Sequence, residues 1–491
     1  MRFASASRDV TSAFAASTSS HDGYSSATAA DGEPSAITSA ATVTATAAVV
    51  RCDRVALIAP PRRPYPVVPV GRVRSGRARR VYPRPARTPG GTRSVHSVHV
   101  PRNRARVVAA IIAAVATGLV TGCASAGEPT PTSTPTPSTP SAQPSPTTSV
   151  DPLTAWVDAR LDAMTLEQKA ASLIMGHVPG VDPAPMRAFV EQGAAGLLLM
   201  GDNMPATPDE LAALTAAVQV DPEARTLIGI DEEGGIVTRL PWDDLPGAEE
   251  LRALPPQATQ DAFAQRAALL EASGVDVNFG IVADVTDDPD SFIFERVLGT
   301  DPRSAADRVA AAVTGEHGTV ASTLKHFPGH GAAPGDSHSS VPTAPLSLDE
   351  WRAGAAIPFA TGIDAGAELV MTGHLVYPAV APEPASLSPR WHEILRDELG
   401  FEGVVVTDDL LMLQHNGLPE YADPNENAVR AVASGADLLL YALPADPSEF
   451  GISVPGLASA IAEAVRSGRV PETRLDEAAA HVLALRRSAL D

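Results

Sequence analysis

Eight short apolar runs alternate with segments of helical periodicity from residue 151 to the end of the chain. Parallel strands need a crossover segment between them, usually a helix, so this alternation predicts repeated parallel β/α units. The predicted strands are Ala171–Met175, Gly196–Met200, Thr226–Ile230, Val275–Val282, Ser322–His326, Leu369–Thr372, Gly403–Thr407 and Asp437–Tyr441.

Eight such units within residues 151–491 favour one α/β domain, a (β/α)8 TIM barrel, over a doubly wound open sheet. Polar residues follow nearly every apolar run, as expected for a barrel, whereas an open sheet concentrates function at its switch point. These strand-end residues are His177, Asp202, Asp231, Asp284, Lys325, His326, His374 and Asp408. The predicted helices include Pro208–Val218, Asp261–Ser273, Pro302–Glu316, Leu348–Ala365, Asn425–Ser434 and Pro471–Ser488.

The segment after the fifth run concentrates chemically active side chains. Lys325 and His326 open the sequence Lys-His-Phe-Pro-Gly-His-Gly, and Asp336 and His338 follow shortly after it. The segment has too much Gly, Pro and Ala to form core, so it is predicted to be a loop. Lys325 is one of only two lysines in an arginine-rich chain, which indicates that a compact ammonium group is required there. In the alternative interpretation Lys325 is a structural ion-pair partner, and His326 and His330 are buried structural histidines.

Carboxylates follow the third and seventh runs. Asp408 and Asp409 end an entirely apolar strand, where a buried charge is costly without partners. Asp408 is therefore predicted to be a catalytic carboxylate, and Asp409 has the alternative role of capping the following helix. The third run ends in Asp231-Glu-Glu-Gly-Gly with Arg239 after it, and the glycines allow the backbone to approach a ligand closely. A surface charge cluster is the alternative for this acidic group.

The N-terminal part differs in charge from the rest of the chain. Residues 1–106 hold 17 Arg, no Lys and 5 acidic residues, although the whole chain has a net charge of −21. The remaining part is therefore strongly acidic, and no nucleic-acid partner is expected. Three arginines between residues 102 and 106, the apolar run 107–120 and Val-Thr-Gly-Cys123 follow the order of a secretory signal.

Cys123 after Val-Thr-Gly resembles a bacterial lipobox, which implies that this cysteine is lipidated and becomes the mature N-terminus. We expect residues 101–123 to be the lipoprotein signal peptide and residues 124–150 a Ser/Thr/Pro-rich linker. Residues 1–100 are expected to be disordered or untranslated because the start codon was assigned too early. The apolar run is shorter than the roughly 20 residues of a spanning helix. We expect the protein to lie outside the cytoplasm, attached to the cell membrane by the lipid anchor only. The mature domain is expected to contain no disulfide.

Four motifs together resemble glycoside hydrolase family 3, in its β-N-acetylglucosaminidase branch. They are Ile230-Asp-Glu-Glu-Gly-Gly, the segment from Lys325 to His338, Met371-Thr-Gly-His and Thr407-Asp-Asp-Leu. The resemblance covers roughly Leu153 to the C-terminus. It implies that Asp408 is the nucleophile and that His338, assisted by Asp336, is the acid/base group. It also implies substrate binding by Asp231, Arg239, Arg296, Lys325 and His326.

Three departures from the family pattern affect the expected shape of the sugar pocket. Ile236-Val237 follows the glycine pair, where the family usually has Arg-Val. Phe279-Gly-Ile-Val stands in place of Phe-Ala-Pro-Val, and Val297-Leu-Gly stands in place of Ser-Phe-Gly.

The resemblance implies a retaining β-N-acetylhexosaminidase that releases terminal β-linked N-acetylglucosamine from peptidoglycan-type or chitin-type saccharides. An imidazole can donate and then accept a proton near neutral pH, and the carboxylate of Asp336 would orient it. The Ala332–Gly335 stretch offers the loop little packing, so it is expected to close on substrate.

We expect a monomer with an oligosaccharide or glycopeptide substrate and no cofactor or metal, since no metal-ligand spacing is present. Three alternatives stay open: a β-N-acetylglucosaminide phosphorylase, because a neutral imidazole does not repel phosphate; a β-glucosidase; and an inactive carbohydrate-binding lipoprotein.

Overall fold

The computed structural model describes residues 151–444 and 446–490 of the chain. The stretch 1–100, the proposed signal 101–123 with Cys123, and the linker 124–150 lie outside the described residues. None of the described helices is long and apolar enough to cross a membrane.

Eight parallel strands in the described residues form the barrel that the alternation predicts. Each neighbour in sequence is also the neighbour in the sheet, and β1 pairs with β8 as well as with β2. A parallel bridge between Val406 and Leu438 joins β7 to β8 and closes the ring. The (β/α)8 prediction is therefore confirmed. The strands are β1 Ile174–Gly176, β2 Gly196–Leu199, β3 Leu227–Ile230, β4 Val277–Val282, β5 Ala321–Phe327, β6 Leu369–Thr372, β7 Val404–Thr407 and β8 Leu439–Tyr441.

Burial on both faces explains why these strands appear in the sequence as continuous apolar runs. Every residue of seven strands is buried, and in β5 only Ala321 is partly exposed. Parallel barrel strands face side chains inside and helices outside, so neither face is free for polar residues. Close packing also selects glycine, because a Cβ on Gly196 would lie 2.1 Å from the carbonyl oxygen of Leu227.

The helices connect and surround the strands. They are α1 Pro152–Asp162, α2 Leu166–Ala171, α3 Pro183–Val190, α4 Pro208–Ala217, α5 Ala248–Leu251, α6 Pro256–Ala272, α7 Pro302–Glu316, α8 Leu348–Ala353, α9 Ala356–Asp364, α10 Pro389–Glu393, α11 Leu411–His415, α12 Pro424–Ser434, α13 Val454–Arg466 and α14 Glu472–Ser488.

Several predicted element boundaries were wrong; α6, for example, begins at Pro256 rather than at Asp261. Two of the differences have a clear local cause. The first strand begins at Ile174 rather than at Ala171, because a capping box formed by Thr165 and Gln168 starts a helix that extends through Ala171. The predicted helix Leu348–Ala365 is two helices, α8 and α9. Gly354 separates them with φ −135° and ψ −90°, a backbone conformation outside the helical region.

An aromatic cluster outside β5 supports the loop that follows this strand. Phe327 packs edge to face against Trp351, Phe359 and Trp391, with ring centroids 5.4–5.9 Å apart. The indole N–H of Trp351 donates a hydrogen bond to the carbonyl of Pro328 at 2.7 Å. The hydroxyl of Tyr377 donates to the carbonyl of Gly329 at 2.5 Å. The backbone after Lys325 and His326 is therefore fixed by buried partners.

Candidate active site

A pocket of about 340 Å³ opens at the carboxyl ends of the strands. We call it the rim pocket. Its lining includes seven of the eight predicted catalytic and substrate-binding residues; the eighth, Asp336, contacts one of them directly. A larger cavity of about 790 Å³ lies at the amino ends of β1–β3 and contains none of the predicted residues. The seven residues lining the rim pocket are Asp231, Arg239, Arg296, Lys325, His326, His338 and Asp408.

A buried charge network forms one wall of the rim pocket. The Nζ of Lys325 lies 2.6 Å from Oδ1 of Asp231 and 2.7 Å from Oε1 of Glu233. Arg296 holds Glu233 with two hydrogen bonds, from Nε at 3.0 Å and from Nη2 at 2.7 Å. Arg239 lies 3.8 Å from Oδ2 of Asp231. Two carboxylates therefore position three cations at the pocket wall, where they can donate hydrogen bonds to oxygen atoms of a ligand.

Glu233 is the residue of this network that the sequence interpretation did not single out. Burial would raise the pKa of Glu233, but Lys325 and Arg296 outweigh that effect and lower the pKa to about 2. The sequence contains one indication that Glu233 belongs to the site: side chains alternate in extended backbone, so Asp231 and Glu233 lie on the same side. Glu232 instead accepts hydrogen bonds from the backbone N–H groups of Arg239 and Leu240, at 2.8 and 3.0 Å.

Asp284 lies behind the pocket wall and holds His326 in position. It is fully buried and accepts a 2.7 Å hydrogen bond from Nδ1 of His326 and a 2.5 Å bond from the backbone N–H of His330. On the other side of the ring, Nη2 of Arg296 lies 3.3 Å from Nε2 of His326. Because a guanidinium only donates, Nε2 accepts and the proton lies on Nδ1. Both ring nitrogens are thus occupied, and the imidazole is held in one orientation.

Asp408 and Asp409 have separate environments although they are adjacent in sequence. Asp408 is half-buried, lines the rim pocket and accepts a 2.8 Å hydrogen bond from the N–H of Asp409. Burial would raise the pKa of Asp408, but the nearby His326, His374 and Lys325 side chains and this hydrogen bond hold the pKa below its usual value. Asp408 is therefore ionised at neutral pH.

The carboxylate of Asp409 is used for structure. Its Oδ1 accepts from the N–H of Leu411, at the start of α11, at 3.0 Å, and from the N–H of Ala442 at 2.9 Å. Burial raises the pKa of Asp409 to about 6. His374, another strand-end residue, lies behind this turn and contacts the Asp409 carbonyl at 2.8 Å and Ser386 Oγ at 2.7 Å. These contacts fix the backbone that carries Asp408.

His338 and Asp336 form a pair on an exposed part of the loop after β5. Nδ1 of His338 lies 2.7 Å from Oδ1 of Asp336, which also accepts the backbone N–H of His338 at 2.9 Å. The His338 side chain is 62% exposed. Its ring packs edge to face against Phe292, with centroids 5.6 Å apart. The exposed histidine is therefore oriented by its loop neighbour Asp336 rather than by the buried wall.

The start of this loop is packed more tightly than its composition predicts. Ala333 is buried in the cluster around the β5 aromatics, and Ser337 is buried next to His330, whose Nε2 lies 3.2 Å from Ser337 Oγ. The expectation of little packing over Ala332–Gly335 is therefore wrong for this part.

Two predicted strand-end residues lie away from the rim pocket. Nε2 of His177 lies 3.0 Å from Oδ1 of Asp202, and Nδ1 of His177 lies 2.8 Å from the carbonyl oxygen of Leu443. Across residues 151–444 and 446–490, no group of three or more His, Cys, Asp or Glu side chains is arranged to hold a metal ion.

Comparisons with known proteins identify relatives of this chain. The family model described as the glycosyl hydrolase family 3 N terminal domain matches residues 165–485. A beta-hexosaminidase of Stenotrophomonas maltophilia (strain K279a) is 42% identical over 231 residues, which are 44% of this chain and 68% of that protein.

Solved structures agree with this match. A family 3 beta-N-acetylglucosaminidase from Paenibacillus sp. str. FPU-7 is 34% identical with a TM-score of 0.61. The alignment covers 67% of this chain, which spans 63% of the Paenibacillus protein. A beta-N-acetylhexosaminidase from Beutenbergia cavernae DSM 12333 is 29% identical with a TM-score of 0.58, covering 66% of this chain and 98% of that one.

Proposed function

Because the chain belongs to glycosyl hydrolase family 3, we propose that it is a retaining β-N-acetylhexosaminidase. It removes terminal β-linked N-acetylglucosamine from cell-wall (peptidoglycan-type) or chitin-type saccharides. One observation carries the proposal: an ionised carboxylate, Asp408, and an exposed imidazole, His338, line the same pocket. The hexosaminidase names of the relatives support the choice of sugar.

Asp408 acts as the nucleophile in this mechanism. Its ionised carboxylate attacks the anomeric carbon and gives a covalent glycosyl-enzyme through an oxocarbenium-like transition state. Asp409 does not compete for this role, because its Oδ1 is occupied by two backbone N–H groups. The turn held by Asp409 keeps the nucleophile in place during attack.

His338 supplies the proton to the leaving oxygen and later removes one from water. With Nδ1 bonded to Asp336, the imidazole presents Nε2 to the reacting atoms, and the carboxylate stabilises the imidazolium form. The exposure of the ring allows water to replace the leaving group before the second step.

The buried network binds the non-reducing sugar. Asp231 offers carboxylate oxygens for hydroxyl groups, and Lys325, Arg239 and Arg296 donate hydrogen bonds to sugar oxygens. His326 completes this binding set. A volume of about 340 Å³ is near the lower limit for small-molecule sites, about 300 Å³. This size favours one sugar ring and therefore release of single residues from chain ends.

Replacement of Asp408 tests the proposal directly. Asp408→Ala is expected to lower kcat on 4-nitrophenyl N-acetyl-β-glucosaminide by more than about a thousandfold. Asp349→Ala, at a side chain that is 93% exposed, is the matched control and is expected to retain activity. A 5-fluoro glycosyl fluoride of the substrate sugar should label Asp408 covalently, as detected by peptide mass. Activity of Asp408→Ala within about tenfold of wild type would refute the nucleophile assignment.

Phosphorolysis is the second candidate, favoured by the use of an imidazole instead of a carboxylate as the base. An unprotonated imidazole carries no negative charge, so phosphate can approach the glycosyl-enzyme without repulsion. Rates measured with and without phosphate separate the two reactions. The same assay with an aryl glucoside tests the glucosidase alternative, and loss of all activity on every glycoside would favour a binding protein.

A further inference from the structure

Two large apolar side chains are exposed at the mouth of the rim pocket. Ile236, on the loop after β3, is 64% exposed, and Phe292, on the loop after β4, is 39% exposed. Six large hydrophobic residues are this exposed among the described residues, and two of the six line this one pocket. Exposed apolar groups collected at a binding site indicate a surface that a ligand covers.

The inner wall of the pocket differs in chemistry from this mouth. The wall carries the Lys325, Asp231 and Glu233 network, whose charges suit the hydroxyl groups of one sugar ring. Neither Ile236 nor the ring of Phe292 can donate or accept such hydrogen bonds. A substrate that reaches both regions is therefore polar at its buried end and presents an apolar face at the mouth.

The position of His338 indicates that the leaving group lies at the mouth of the pocket. In the proposed mechanism His338 protonates the oxygen that links the two halves of the substrate. The His338 and Phe292 rings pack edge to face with centroids 5.6 Å apart, so the group beyond that oxygen lies beside the Phe292 ring. Ring faces are suited to this contact, because pyranose and aryl rings present flat apolar surfaces to an aromatic side chain.

We propose that Ile236 and Phe292 form an aglycone subsite that binds an uncharged ring. The subsite rests on the proposed glycosidase function and refines it by naming the class of leaving group. Phe292 also lines a neighbouring pocket of about 410 Å³, which Asp288, Asp290 and Asp336 line as well. An anionic aglycone that extends past Phe292 meets these carboxylates, so an uncharged ring is preferred. Of the two proposed substrate types this favours the chitin type, because the sugar next to N-acetylglucosamine in peptidoglycan carries a carboxylate.

Binding of thioglycosides tests the subsite separately from proton transfer. The probes are the S-methyl, S-phenyl and S-(4-carboxyphenyl) N-acetyl-β-glucosaminides, measured by calorimetry with the whole chain. We expect wild type to bind S-phenyl about tenfold more tightly than S-methyl, the order of one apolar contact. The S-(4-carboxyphenyl) compound is expected to bind more weakly than S-phenyl.

The variants Ile236→Ser and Phe292→Leu are each expected to remove most of the preference for S-phenyl. Ile236 is exposed, so its substitution leaves the fold intact. Leu254 is also an exposed apolar residue, but it does not line the rim pocket. Leu254→Ser is therefore the matched control and is expected to keep the preference for S-phenyl. Equal binding of S-methyl and S-phenyl by wild type would overturn the subsite alone. Tighter binding of the carboxylate compound would overturn the preference for an uncharged ring. No binding of any probe would overturn the proposed function together with the subsite.

Discussion

Replacing Glu233 with glutamine tests whether the buried charge network stabilises the fold as its geometry implies. Glu233 is 6% exposed and lies between Lys325, at 2.7 Å, and Arg296, which it binds through both carboxylate oxygens. Its pKa falls from 4.5 to about 2 in the fold. Each pKa unit corresponds to about 1.4 kcal/mol, so Glu233 contributes about 3 kcal/mol to the free energy of unfolding at neutral pH.

The substitution Glu233→Gln leaves Lys325 with Asp231 as its carboxylate partner and removes the carboxylate that Arg296 binds. Removal of one member of a buried ion pair costs about 3–5 kcal/mol, in agreement with the pKa argument. The exposed pair of Glu426 and Arg469 provides the control, because Glu426 also accepts through both carboxylate oxygens, at 2.6 and 2.8 Å. Glu426→Gln is expected to cost less than about 1 kcal/mol, since solvent screens exposed pairs.

Urea unfolding from pH 7 to pH 2.5 gives the measurement. A lowered carboxyl pKa stabilises the fold above its unfolded value, and this stability is lost as the pH falls from about 4.5 towards 2. The difference between wild type and Glu233→Gln should therefore be largest at neutral pH and shrink below about pH 4.5. A difference below about 1 kcal/mol at pH 7, or one that does not change down to pH 2.5, would refute the reasoning.

Three further predictions concern the proposed acid/base group, a buried carboxyl and the N-terminus. His338→Ala should reduce hydrolysis of N-acetylglucosaminides with poor leaving groups far more than that of activated aryl glycosides; equal losses would remove its acid role. Burial raises the pKa of Glu316 to about 8, so its stabilising contribution is lost as the pH rises from 4.5 to 8. Glu316→Gln should therefore flatten the stability profile over that range, by up to about 1.4 kcal/mol per pH unit, whereas parallel unfolding profiles would contradict it. The native protein should begin at a lipidated Cys123, and an intact mass that retains residues 1–97 would contradict the signal assignment.

The barrel is readable from the sequence because its strands are buried on both faces. A continuous apolar run such as Val404–Thr407 does not fit an amphipathic helix or a half-exposed strand, and the residues directly after it are polar. Helix boundaries are less readable, since they depend on local hydrogen bonds. The capping box of Thr165 and the break at Gly354 each place a boundary where hydrophobic periodicity alone did not predict it.

Site residues could be predicted from the sequence where a motif specifies the residue types. They could not be predicted where the role of a residue depends on contacts with residues distant in sequence. Asp408, Lys325 and His338 stand in motifs, and all three line the rim pocket. The importance of Glu233 depends on Arg296, 63 residues away, and no local pattern shows this contact. No local pattern marks Phe292 either, and only the packing of the loops after β4 and β5 brings its ring to His338.

In the retaining mechanism proposed above, the pocket wall and the acid/base histidine have different tasks. The sugar must keep its position through two displacements, and the buried contacts of Glu233 and Asp284 hold Lys325, Arg296 and His326 for that purpose. The leaving group, by contrast, must depart and be replaced by water on the same side. A histidine that is 62% exposed and oriented by its loop neighbour Asp336 suits this exchange, because water can reach it without any rearrangement of the wall. In this arrangement stability and turnover depend on different residues. Substitutions in the wall should therefore lower both stability and activity, and substitutions at His338 should lower activity alone.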